Sequence, residues 1–231
     1  MKYSIFHTSH CGSTLLSALL SKSIEVYTEP NWAHELYTQE NKLNFVDIHH
    51  KENTLVKHSS VMCSLLPKVS GKKIFIYNKL YHHLIKHGNN QKGLEFHRAV
   101  MLNDLHDKSK RQAYPEGQIV AEKAYLWADR MFHAFDAQDT IFIDCEDLFK
   151  NETYVLEKIC AFLNIEYIPT HLDFHVKIAG LLHRNEPVDL DKIPYVNRVK
   201  KIEPYKEFNK ELLEWCYETY GAKGLVSKFI Y

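Results

Sequence analysis

Short apolar runs alternate along this chain with longer stretches in which apolar residues recur every three or four positions, the patterns of strands and of amphipathic helices in turn. Tyr3-Ser4-Ile5-Phe6-His7 predicts a short strand, apolar enough to be buried on both faces. Leu15, Leu16, Leu19 and Leu20 follow at helical spacing and predict a helix over residues 13–20. Further strands are expected over 24–27, stopped by Glu29-Pro30, over 54–57, over 73–77 behind the turn residues Ser70-Gly71, and over 140–144. Helices are expected over 31–39, within 43–50, over 80–87 and over 93–107. Two more are expected over 118–137 and over 153–163, where Val155, Leu156, Ile159, Cys160 and Leu163 share one face. The polar stretch 169–204 predicts a long covering loop, and 206–220 a closing helix.

Strands alternating with helices make βαβ units, hence a three-layer α/β/α domain with a central parallel sheet of about five strands, and 231 residues suit one such domain, 1–231. Ligands in these folds sit at the carboxyl ends of the strands. That rule gathers residues 7–14, Thr28-Glu29, residues 57–60 and Asn78-Lys79 into one neighbourhood.

Composition narrows the classes. Lys plus Arg equals Asp plus Glu at 29 each, and the one basic cluster, Arg198-Val199-Lys200-Lys201, is short, so a nucleic-acid partner is not expected. No tract of about 18 apolar residues predicts a membrane span, and the N-terminal apolar run is too short for a signal-peptide core, so a cytoplasmic location is expected. The five cysteines are widely spaced without a CxxC pair, which predicts reduced, buried thiols and no zinc cluster. The 15 histidines show no repeated metal-ligand spacing and read as scattered surface residues.

The strongest local signal is His7-Thr8-Ser9-His10-Cys11-Gly12-Ser13-Thr14, set between a strand and a helix. Amides at a helix N-terminus bind anions, Gly12 allows close backbone approach, and the Ser13 and Thr14 hydroxyls can add hydrogen bonds. The alternative is a plain turn capped by Ser13. No lysine precedes Ser13, so the full phosphate-binding pattern of ATPases and ordinary kinases is missing.

Three segments resemble sulfotransferases of the P-loop NTPase-like fold that use 3'-phosphoadenosine-5'-phosphosulfate (PAPS) and release PAP. Ser9-His10-Cys11-Gly12-Ser13-Thr14-Leu15-Leu16 resembles their phosphosulfate loop. Ile74-Phe75-Ile76-Tyr77-Asn78-Lys79-Leu80 resembles the strand that begins their 3'-phosphate site. Ile143-Asp144-Cys145-Glu146-Asp147-Leu148 and the helix after it resemble a structural strand and helix of the family, in which Glu146 and Asp147 would cap the helix. The loop cation of the family falls at His10, and the usual 3'-phosphate arginine falls at Asn78, which brings no charge; Lys79, Lys86 or Arg184 would then supply one.

The resemblance implies sulfuryl transfer from PAPS to a hydroxyl or amine of a small-molecule or carbohydrate acceptor, with no metal. Ser9, His10, Cys11, Gly12, Ser13 and Thr14 would hold the phosphosulfate. Glu29, at the end of the second strand, is the first choice for the base. Lys57 would stabilise the bridging oxygen. His58 is the alternative base, although it is displaced by one residue from the family's histidine, which turns it to the other face of the strand. Two other readings stay open: a nucleotide or small-molecule kinase with a degenerate loop, and a non-catalytic PAP- or nucleotide-binding module.

Overall fold

The computed structural model describes residues 1–8, 11–80, 119–169 and 186–189. The five expected strands form there as β1 (Tyr3–His7), β2 (Glu25–Thr28), β3 (Thr54–Lys57), β4 (Lys72–Tyr77) and β5 (Thr140–Asp144). They make one parallel sheet in the order β2-β3-β1-β4-β5. The central strand β1 is buried along its whole length, as a mostly apolar run with helices on both faces should be.

Alternation of side chains sorts the sheet into two cores. Ile5, Val26, Leu55, Ile74 and Ile76 point to the face covered by α1 (Ser13–Leu20) and by α6 (Glu152–Leu163), whose Val155, Leu156 and Ile159 complete that cluster. Phe6, Phe75 and Tyr77 point to the other face. There they meet α2 (Asn31–Glu35), α3 (Lys42–His49), a 3-10 helix over Ser60–Leu65, and α4 (Ile119–Phe135).

Three local expectations are corrected. The helix begun at Asn31 stops at Glu35, because the backbone and side chain of Thr38 both donate to the Glu35 carbonyl at 3.0 Å and close the chain into turns. A helix that periodicity did not announce, α5 (Cys145–Lys150), starts directly from β5. Its cap is Asp144, which accepts from the Glu146 amide at 2.9 Å, while Glu146 and Asp147 occupy the first turn, where carboxylates offset the positive end of the helix. The histidines are not only at the surface: His7, His50, His58 and His133 are buried.

Residues 186–189 lie beside β2, with the Val188 amide donating to the Val26 carbonyl at 2.7 Å, so part of this edge strand is paired. They are the described part of the expected covering loop. The helices expected over 80–87 (beyond Leu80), over 93–107 and over 206–220 lie outside the described residues. The four described cysteines, Cys11, Cys63, Cys145 and Cys160, are buried and unbridged, as expected.

Candidate functional site

The carboxyl ends of β2, β3, β1 and β4 stand side by side, and the chain leaves each of them at a residue singled out by its chemistry. From β1 the chain passes through His7 and Thr8 to Gly12, which opens α1 in a left-handed conformation, φ 81°. Only glycine adopts this cheaply, and the Gly12 carbonyl already accepts from the Leu16 amide at 2.8 Å. Gly12 is therefore the residue that starts the helix, in the place expected of Ser13, and as the cap it offers no side chain to the amides behind it. The first turn carries no carboxylate. The strand end therefore faces the positive end of a helix, with the hydroxyl residues Ser13 and Thr14 in its first turn. Cys11 contributes backbone only, since its buried thiol donates to the Ile76 carbonyl at 3.2 Å. Ser9 and His10 lie outside the described residues.

A buried ion pair stands two strands away. Glu29 follows β2 directly, and its amide donates to the Lys57 carbonyl at 2.9 Å. Its own backbone is left-handed, φ 44°, a costly state for a residue with a side chain. The Lys57 ammonium donates to Glu29 Oε1, with Lys57 only 2% and Glu29 13% exposed. Breaking such a pair would leave a charge unmatched away from water, a costly state. Tyr37 faces the same pair: burial and the Glu29 charge push its hydroxyl up, while a hydrogen bond with Ser59 opposes them.

His58 lies on the opposite side of the sheet from Lys57. Its ring is fully buried, stacked on Phe6 at 4.7 Å between centroids, and neither ring nitrogen has a hydrogen-bond partner among the described residues. Burial pushes its pKa down to about 3, with the His50 and Lys57 charges adding to the effect. The alternative base is thus a neutral ring inside a wall, and the structure brings Glu29 and Lys57 together without it.

Asn78 is also buried, and its backbone ties the site together: its amide donates to Thr8 Oγ1 at 3.1 Å, and its carbonyl accepts from Trp127 Nε1 at 2.8 Å. One turn further along α4, buried Arg130 donates to the Thr8 carbonyl at 2.8 Å. Trp127 and Arg130 were missed as supports of the loop. Their spacing of three places both on one helix face, but nothing in the sequence says that this face meets Thr8. Lys79 is half-buried, and its charge acts on Asp144, whose carboxyl burial pushes up while the Glu146 amide and Lys79 pull it down. Lys86 and Arg184 lie outside the described residues. Among the described residues, no cluster of His, Cys, Asp or Glu could hold a metal ion, and no helix is long and apolar enough to cross a membrane.

No family model matches the sequence, and no characterised protein matches it by sequence. Solved structures do resemble the fold. The sulfotransferase domain from the curacin biosynthetic pathway aligns with 95% of this chain and 97% of its own, at 12% identity and a TM-score of 0.54. The sulfotransferase from Alicyclobacillus acidocaldarius aligns with 75% of this chain and 86% of its own, at 14% identity and a TM-score of 0.43. Mouse sulfotransferase SULT7A1 complexed with PAP aligns with 99% of this chain and 89% of its own, at 12% identity and a TM-score of 0.48. The first of these shows that the chain has the sulfotransferase fold.

Proposed function

We propose that this protein is a sulfotransferase-like enzyme that moves a sulfuryl group from PAPS to a hydroxyl or amine of a small-molecule or carbohydrate acceptor. One observation carries the reading: a glycine-opened helix start at the end of β1 shares a row of strand ends with a buried Glu29–Lys57 pair. The first is chemistry for holding an anion. The second is a carboxylate and an ammonium in reach of each other, the two charges that acceptor activation and leaving-group stabilisation require.

The residues present fit a phosphosulfate. The loop offers helix-start amides, the hydroxyl residues Ser13 and Thr14, and no opposing carboxylate. His10 adds a cation when protonated, a state that a bound dianion favours. PAPS supplies the activated sulfuryl group. Glu29 accepts the proton released when the acceptor oxygen or nitrogen attacks, and Lys57 faces the negative charge that grows on the departing phosphate. Lys79, Lys86 and Arg184 are the candidates for the 3'-phosphate, because Asn78 brings no charge and spends its backbone on Thr8 and Trp127.

Glu29→Gln tests this division of labour. With PAP formation followed across phenol, sugar and amine acceptors, the variant should lose turnover by about 100-fold or more. Its affinity for PAP should stay within about twofold of the wild type, since the glycine loop is untouched. Unchanged turnover would remove Glu29 from the reaction.

A further inference from the structure

The edge of the sheet carries a second cavity that the sulfuryl-transfer reading does not use. Val26 and Leu55 point toward α1, so Tyr27 and Val56, which pair across β2 and β3, point to the opposite face. Over these two residues lies a cleft of about 210 Å3, walled by Pro30, Trp32 and His49, with Lys51 at its rim. At the ~30 Å3 that one water occupies in the liquid, it has room for roughly seven water-sized groups, the scale of one substituted ring.

Its walls are flat and aromatic. Trp32 stacks on His49, with centroids 5.9 Å apart and planes 19° apart, and meets His58 edge-on at 6.2 Å. Phe45 packs behind His49 at 4.3 Å, so the Trp32–His49 wall is held from the rear. The floor is the ring of Tyr27, whose hydroxyl donates to Glu25.

Its rim carries an ammonium. Lys51 is exposed, with its ammonium 5.8 Å from the Tyr27 centroid, and has no carboxylate partner among the described residues. Two acids near it are paired elsewhere, Glu52 with the Met1 amino group and Asp47 with Lys2, while Glu25 accepts from the Tyr27 hydroxyl beneath the cleft. Among the described residues, no carboxylate lines the cleft. An aromatic slot with a lone ammonium at its mouth selects a small ring for its faces and an anionic substituent for its rim.

We propose that this cleft is a binding site for a small aromatic carboxylate, with the ring between Tyr27 and Trp32 and the carboxylate on Lys51. It lies on the sheet face opposite α1 and is therefore separate from the glycine loop. Pro30, in its wall, is the residue next to Glu29 in the chain.

Calorimetric titration with benzoate, benzyl alcohol and acetate tests the site. Wild-type protein should bind benzoate with a Kd on the order of 1 mM or below, as suits so small a ligand, and acetate at least tenfold more weakly. Lys51→Ala, a change at an exposed side chain, should weaken benzoate at least tenfold and move benzyl alcohol less than twofold. Saturating PAP should leave benzoate affinity unchanged. No saturable benzoate binding, equal affinity for acetate, a Lys51→Ala variant with wild-type affinity, or competition with PAP would each overturn the assignment. Because benzoate is titrated both with and without PAP, the result stands whether or not PAP binds.

Discussion

His50 and His58 meet edge to face, 6.4 Å between centroids, in a part of the core where neither ring reaches water. The His50 ring donates from Nε2 to the Thr54 carbonyl at 3.2 Å, and burial still pushes its pKa down to about 4. The Thr54 carbonyl and the Glu52 and Asp47 charges pull His50 up, and Lys2 pushes it down further. His58, held to about 3, has no such relief. In the unfolded chain both titrate near 6.5. Below that value the unfolded state binds protons that the folded state refuses, so stability falls as the pH falls from about 6.5 toward 4 and is flat with respect to these groups above it. Urea unfolding between pH 7.5 and 4.5 should show this acid limb, with a slope approaching about 1.4 kcal/mol per pH unit from His58 alone. His58→Phe, which keeps a flat ring on Phe6, should remove that share; an unchanged slope would mean that His58 is charged in the fold. The sequence placed these histidines at the surface. Hydrophobic periodicity assigns faces to runs of residues, whereas His58 stands one residue past the end of β3, where no period applies.

At the scale of elements, the strands were legible because each is a short apolar run that a parallel sheet buries on both faces. The β5 and β3 limits agree with the expected ones, and β2 and β4 differ by a residue. What the pattern did not reveal is short or capped by side chains: the 3-10 helix of Ser60–Leu65, and α5, which starts because the Asp144 carboxylate accepts from the Glu146 amide. Two glycines fix how elements join, for different reasons. At Gly12 an added Cβ would meet only the Phe149 ring at 3.5 Å and Cys145 Sγ at 3.7 Å, so only the left-handed backbone resists a substitution. At Gly71, with φ 86°, the same atom would lie 2.1 Å from the Lys2 carbonyl oxygen, inside the backbone of the residue that leads into β1. Gly12→Ala should therefore cost about 1–2 kcal/mol, the left-handed penalty. Gly71→Ala should cost distinctly more, because backbone must move as well. Chemical denaturation of both variants at neutral pH checks the order; equal losses would contradict the close approach of Gly71 to β1.

For the whole molecule, the sheet order brings together residues that are distant in the chain: Glu29, Lys57, Thr8 with Gly12, and Asn78 at the ends of neighbouring strands. A parallel sheet made this neighbourhood readable before the structure, since its crossovers return every strand with the same end up. The supports behind it, Trp127 and Arg130, come from a helix beyond residue 118, and only packing reveals that their face meets Thr8 and Asn78. The central claim is that these strand ends hold a 3'-phosphorylated nucleotide as sulfuryl donor. The direct test is calorimetric titration of the full chain with PAP, with AMP, and with ATP plus magnesium. A 3'-phosphate held by even one cation makes charge-assisted hydrogen bonds worth about 1.5–3 kcal/mol. PAP should therefore bind at least about tenfold more tightly than AMP, and without magnesium. Equal affinity for PAP and AMP, or magnesium-dependent ATP binding tighter than PAP, would contradict the account.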